Sequence, residues 1–266
     1  MLCRIARRLD QVKRKSYSKI LEGKDSRLIL RIKTYCIVVS IIWLKRIAFH
    51  VFRKSYHYQK FAILCTARSG STWLHTLLNS HPSIFSEGEI ILTNHRSGNP
   101  LAFKDLAFQA YPRLIKAVGL KVFYENPIYE EGLRSVLTDP HTKVILLSRE
   151  SSLEQFVSLK LAEKSHEWVY ESAPSGRISI DIQEFEKYRQ HLSKKHTHVL
   201  MQLKNKDVLE VTYEELHKEE EKTMTDIQHF LGVRPRRLYS LLRKQGDHNV
   251  ANQIANWEDV RDKVPD

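Results

Sequence analysis

The sequence predicts an α/β domain, a central parallel sheet flanked by helices, with a basic helical appendage at its N-terminus. Three observations point there. From Lys60 onward, short apolar runs of strand type alternate with helical spacing. The 266 residues suffice for one buried α/β core of roughly 200 to 250 residues plus an extension. Basic residues are dense in the first sixty positions, which sets 1–58 apart from a domain over 59–266.

The appendage comes first. Residues 1–33 carry eleven lysines and arginines between scattered aliphatics and read as basic helices. No cleavable signal peptide is visible, because the apolar region comes too late and lacks a small-residue cleavage site. Tyr35 to Leu44 is almost uninterrupted apolar sequence, and the run resumes from Ile47 to Phe52 after Lys45-Arg46. A spanning helix needs about 20 predominantly apolar residues, and two central charges are costly. The stretch 35–52 is therefore expected to lie on a membrane surface or to pack on the domain rather than to span.

The domain elements follow in order. Phe61 to Thr66 is a short apolar run of buried-strand type, and Trp73, Leu74, Leu77 and Leu78 continue at helical spacing. The segment between them is a strand-to-helix turn. Lys121 to Tyr124 and Lys143 to Ser148 read as further strands, the latter followed by a helix from about Ser152 to Lys164. Val208 to Val211 is a fourth strand. A helical run after it ends at Phe230-Leu231-Gly232, where glycine suits a C-terminal cap.

Composition bounds the partners. Hydrophobic residues at 42% and charged residues at 28% are ordinary globular values, which excludes a disordered chain and a multi-span membrane protein. A net charge of +12 implies an anionic partner: a nucleotide, a nucleic acid, lipid headgroups or an acidic glycan. Cys3, Cys36 and Cys65 form neither a CxxC pair nor a Cys/His ligand pattern, so no disulfide framework and no metal site is expected. A reducing, cytoplasmic location fits, with or without membrane association.

The motif with chemistry is TARSGSTWLHTLL. A strand ends, a glycine allows a tight turn, and small hydroxyl residues open a helix, so backbone amides and the positive helix end converge on one place suited to phosphate or phosphosulfate. The alternative is a plainly capped helix, with Ser71 or Thr72 satisfying the first turn. A Walker A loop needs GxxxxGK[ST], and neither its first glycine nor its lysine is present.

This loop and four later segments, in order, resemble the PAPS-dependent sulfotransferase superfamily over Lys60 to about Val260. They are NSHPSIFSEGEI, GLKVFY, LLSRESSLEQFVSLKLA, and VLEVTYEELHKEEEKTMTDIQHFLGV, which ends in Phe-Leu-Gly. The resemblance implies a P-loop-like fold. It also implies transfer of a sulfuryl group from 3′-phosphoadenosine 5′-phosphosulfate (PAPS) to an acceptor hydroxyl, with PAP and a sulfate ester as products and no metal. Arg68, where small-molecule cytosolic relatives usually have Lys, resembles the branch that sulfates glycans. A carbohydrate or glycolipid acceptor is thus expected, and no nucleic-acid partner.

The resemblance also implies roles. Arg68 lies at the 5′-phosphosulfate, cradled with Ser69, Gly70, Ser71 and Thr72; the alternative is a surface arginine. Trp73 and Tyr213 border the adenine or pack in the core. Arg149 and Ser158 hold the 3′-phosphate at the donor's other end, although Ser158 follows Arg149 by nine residues where relatives usually show eight, so Ser152 could share the role. The rival for Arg149 is an ion pair with Glu150 or Glu154. Arg243 and Lys244, in LRKQG, resemble a basic loop over the 3′-phosphate or form a solvated face. Glu89, with Glu87 as the neighbouring alternative, is the general base or an exposed carboxylate. A histidine base would have to come from His81 or His95. Lys121 touches the sulfuryl oxygens or acceptor, or ends a strand in solvent. Two other classes remain: a P-loop nucleotide kinase, and a non-catalytic basic protein that binds membrane or nucleic acid.

Overall fold

The computed structural model describes residues 26–96, 103, 107–165, 176–242 and 249–264, with side chains from residue 34 onward. A long helix α1 (Ser26–Val51) leads through β1 (Lys54–Ser55) into β2 (Gln59–Cys65) and α2 (Ser71–Asn79). Next come β3 (Ile84–Ser86), α3 (Ile90–His95), β4 (Tyr111–Pro112) and β5 (Ala117–Phe123). Helix α4 (Glu130–Thr138), β6 (Thr142–Ser148), α5 (Ser152–Ser165), α6 (Ile182–Gln202) and β7 (Val208–Thr212) follow. The described chain closes with α7 (Tyr213–Lys218), α8 (Glu220–Phe230) and α9 (Trp257–Val260).

Five strands pair in the order β3-β5-β2-β6-β7, all parallel. The chain moves outward from β2 to β3, returns to β5, crosses β2 to β6 and continues to β7. Its direction thus reverses beside β2, and the crevice beyond the carboxyl ends of β2, β5 and β6 is where such sheets bind ligands.

Side chains alternate across the sheet, as strand geometry requires. Phe61, Ile63 and Cys65 face one layer with Trp73, Leu74, Leu77 and Leu78 of α2 and with α7 and α8. Ala62 and Leu64 face the opposite layer, with Val136 of α4 and Val199 of α6. Because both faces are covered, β2 and β6 read as continuous apolar runs. Residue Lys121 lies on the α2 side of β5, which directs its side chain to the start of that helix.

Two expected boundaries shift. Strand β5 begins at Ala117, so Lys121 stands near its end rather than at its start, and Tyr124 lies beyond it. Gly119 disguises the extension, since glycine weakens a strand pattern. The helical run after β7 divides at Glu219 into α7 and α8, the first opened by a capping box between Thr212 and Glu215.

The C-terminal part of α1 packs on the domain. Lys45 is buried, and its Nζ donates to Asn79 O at 2.7 Å and Ile84 O at 2.5 Å. Burial draws its ammonium down to about 7. Phe49 meets Phe85 and Tyr111 with ring centroids at 5.6 and 5.4 Å, and β1 pairs antiparallel with β4. The charge that interrupts the apolar run in the sequence is thus a tether to the domain.

Candidate active site

The loop between β2 and α2 bends through two left-handed residues, Arg68 at φ 63° and Gly70 at φ 86°. Gly70 is the N-cap of α2 and has no capping side chain, so the alternative of a side-chain-capped helix does not hold. Trp73 N already donates to Gly70 O at 3.0 Å, so the Ser71 and Thr72 amides, which have no acceptor within the helix, together with the positive helix end form the cradle suited to an anion. The glycine is required twice: its φ disfavours a side chain, and a Cβ there would lie 2.6 Å from Cδ2 of Tyr213. Ser69 and Ser71 are buried, and Ser69 Oγ donates to Thr66 O at 2.8 Å, closing the turn.

Lys121 and Glu89 meet at this helix start. The buried Lys121 Nζ donates to Thr72 Oγ1 at 3.2 Å and to Glu89 Oε1 at 2.9 Å. The reading of Lys121 as a strand-end lysine in solvent is excluded by its 2% exposure. Backbone pairing produces the meeting. Glu87 N donates to Gly119 O at 2.7 Å and Lys121 N to Gly88 O at 3.0 Å, prolonging the β3–β5 ladder. Gly88, at φ 70°, then turns the chain so that Glu89 comes to Lys121.

The two glutamates are in different surroundings. Glu87 accepts a hydrogen bond from the Tyr111 hydroxyl inside the aromatic group of Phe49, Phe85 and Tyr111, and burial raises its carboxyl above the usual range. Glu89 keeps 38% of its side chain exposed on the crevice side.

A second polar corner is formed by Arg149, Ser158 and Tyr213. Arg149 leaves the end of β6, donates from Nη2 to Glu154 Oε2 at 2.6 Å and from Nη1 to Arg68 O at 3.2 Å, and lies over the Tyr213 ring at 4.5 Å. The ion pair considered for this arginine is therefore present, with Glu154. Its Nε is buried without a hydrogen-bond partner. Arg68 reaches this corner too, its Nε donating to Ser158 Oγ at 2.9 Å, so the two arginines converge rather than stand apart. Ser158 can meet the loop from nine residues after Arg149 because α5 begins only at Ser152, after a turn held by Ser151 Oγ accepting from Glu154 N at 3.2 Å. Trp73 is a core residue, 7% exposed, and also touches Tyr213 with ring centroids 6.3 Å apart. Arg243 and Lys244 lie outside the described residues.

Three supporting residues escape sequence reasoning. Gln155 Nε2 donates to Thr66 Oγ1 at 2.7 Å and Ala67 O at 2.5 Å. Ala67 N donates to Glu125 Oε1 at 2.6 Å, and burial pushes the Glu125 carboxyl up to about 7. Together they fix the residue before Arg68 from both sides. The ring of His75 lies 3.1 Å from where a Cβ on Gly88 would stand and bonds Ser86 Oγ at 2.8 Å; burial draws it down to about 3, so it is neutral. Only the YEN that follows the lysine strand and the i, i+4 pair His75 and Asn79 hint at these roles. Of the histidines considered as a base, His81 is engaged at the far end of α2, accepting from Ser83 N at 3.0 Å and facing Arg234 O at 3.1 Å. His95 ends α3 at an exposed position.

Among the described residues, no group of three or more His, Cys, Asp or Glu is placed to hold a metal ion. The arrangement gathers a helix N-terminus, a buried ammonium and two arginines around one crevice, with the Glu89 carboxylate on Lys121 and the Glu154 carboxylate on Arg149. Such a surface suits an elongated anion, and Glu89, beside Lys121 and partly exposed, is positioned to take a proton.

Comparison with known proteins agrees with this chemistry. The model of the sulfotransferase domain family matches residues 59–251. Nodulation protein H of Rhizobium meliloti (strain 1021) is 27% identical over 225 residues, covering 76% of this chain and 90% of that protein. Its counterpart in Rhizobium tropici is 27% identical over 223 residues, covering 76% and 88%. Among solved structures, a sulfotransferase from Alicyclobacillus acidocaldarius is similar at a TM-score of 0.48 and 16% identity, covering 73% of this chain and 88% of that one. With the domain family matched across most of its length and bacterial relatives aligned over three quarters of it, the chain belongs to the sulfotransferase superfamily, in its bacterial-type branch.

Proposed function

We propose that the chain transfers a sulfuryl group from PAPS to a hydroxyl of a carbohydrate or glycolipid acceptor. The observation that carries this reading is the juxtaposition of Lys121 Nζ with Thr72 Oγ1 at 3.2 Å and Glu89 Oε1 at 2.9 Å, at the uncapped start of α2. The residues present fit the donor. Gly70 lets the loop pass against the Tyr213 ring, where a Cβ would lie 2.6 Å from Cδ2, and the unpartnered Arg149 Nε suits a phosphate oxygen. Tyr213 and Trp73 offer rings beside it for an adenine.

PAPS supplies an already activated sulfuryl group, so the chain need only position and neutralise. Glu89 takes the proton of the acceptor hydroxyl as its oxygen bonds to sulfur. The bond from sulfur to the donor phosphate breaks, leaving PAP and a sulfate ester. Lys121, the α2 amides and the Arg68 guanidinium hold the charge that moves onto the leaving phosphate. To do so, Arg68 exchanges Ser158 for the donor. Glu87, committed to Tyr111, takes no part in proton transfer.

The acceptor class rests on Arg68 in place of Lys and on the carboxylate in place of a histidine base. Incubating the protein with radiolabelled PAPS and a panel of saccharides, glycolipids and phenols tests it. Label is expected on saccharide-bearing compounds. Transfer confined to phenols contradicts the acceptor assignment.

A further inference from the structure

Helix α1 presents three different faces along its C-terminal half. Lys45, Ala48 and Phe49 face the domain. At 100° per residue, Ile37, Leu44, Ile47 and Val51 fall within about 80° of arc on another face, and each is exposed, at 36%, 62%, 50% and 69%. Phe52, 56% exposed, prolongs that face beyond the helix. The third face is basic, with exposed Arg46 and His50 followed by Arg53. Trp43, 60% exposed, stands at the border between the apolar and basic faces, with the Arg46 guanidinium 6.0 Å from its ring.

This order is that of a helix at a lipid surface: aliphatic side chains in the acyl boundary, an amphipathic tryptophan at headgroup level, and arginines beside the phosphates. By length and composition, Thr34–Val51 could also cross a membrane. The tether argues otherwise. A span would pull the Lys45 ammonium off Asn79 O and Ile84 O and place it near the middle of the hydrocarbon.

We infer that α1 is an interfacial membrane helix that docks the domain on a bilayer rich in anionic lipids. Its apolar face enters the boundary while Lys45 and Phe49 stay fixed to the domain. Charge complementarity selects this occupant, since the rim of the apolar face and residues 1–33 are both strongly basic. The inference stands on α1 and holds independently of the acceptor proposed above. It also orients the enzyme: Phe49 touches Tyr111, and Tyr111 bonds Glu87, two residues from Glu89, so the segment carrying the base lies next to the membrane-facing helix.

Flotation of the full chain with phosphatidylcholine vesicles, with and without phosphatidylglycerol, tests the inference. Binding to the anionic vesicles is expected, at least tenfold stronger than to neutral ones and released by alkaline carbonate. The double variant Leu44→Glu, Ile47→Glu should lose it at least tenfold while its melting temperature and PAP affinity stay as in the wild type; both positions are exposed, so folding is spared. Undiminished flotation of that variant overturns the inference. Resistance to carbonate overturns it in favour of a spanning anchor. A dimer in vesicle-free solution that the double variant splits, seen by light scattering, overturns it in favour of a second copy on this face.

Discussion

Glu89→Gln is expected to lower turnover about 100- to 10,000-fold, the usual contribution of a positioned general base, whereas Glu87→Gln should change it less than about tenfold. The two carboxylates are separated by one residue and by everything around them. Glu89 reaches Lys121 at 2.9 Å and faces the crevice, where an acceptor hydroxyl can approach. Glu87 is turned into an aromatic group and accepts the Tyr111 hydroxyl, a bond that a glutamine carbonyl can still accept. Steady-state kinetics at saturating PAPS, with an acceptor from the panel, distinguish them. A larger loss in Glu87→Gln would move the base to that position and break the link between Lys121 and proton transfer.

Arg149→Ala is expected to weaken PAP binding about ten- to hundredfold, because a hydrogen bond to a charged group contributes about 1.5–3 kcal/mol. The arginine is held before any ligand arrives, by Glu154 at 2.6 Å, by Arg68 O at 3.2 Å and by the Tyr213 ring at 4.5 Å. The ion pair with Glu154 leaves Nε unmet, and a buried Nε without a partner is costly, so the site gains when an anion oxygen fills that position. Arg149→Lys should recover only part of the loss, since an ammonium cannot keep the planar stacking on Tyr213. Titration calorimetry with PAP measures both. Equal affinity in Arg149→Ala and wild type would remove Arg149 from the donor site.

The sheet was legible in the sequence wherever a strand is covered on both faces. Phe61 to Cys65 and Val144 to Leu147 are buried throughout and read as unbroken apolar runs. Strand β3 was not legible: three residues, Ile84–Ser86, give no periodicity. Helix α6 is equally faint in the sequence, because along 21 residues only Phe185 and Val199 are buried. Its one local sign is Asp181, whose side chain accepts from Gln183 N and Glu184 N.

The same division runs through the site. The α2 cradle is local and could be read from TARSGST. The meeting of Lys121 with Glu89 depends on β3 pairing with β5, a contact between segments more than thirty residues apart in sequence. Likewise, Glu125 and Gln155 support Ala67 only through the order of β5, β2 and β6, which no spacing rule reveals. Lys45 was legible as an anomaly, a charge in an apolar run. What it does there required the carbonyls of Asn79 and Ile84.

In the proposed function, the crevice at the start of α2 receives a nucleotide carrying both a 5′-anion and a 3′-phosphate. Titration calorimetry of the full chain with PAP and with ATP, each with and without Mg²⁺, tests it most directly. PAP is expected to bind more tightly than ATP by at least about tenfold, with no dependence on the metal. Tighter binding of ATP that requires Mg²⁺ would contradict the account and make the chain a nucleotide kinase.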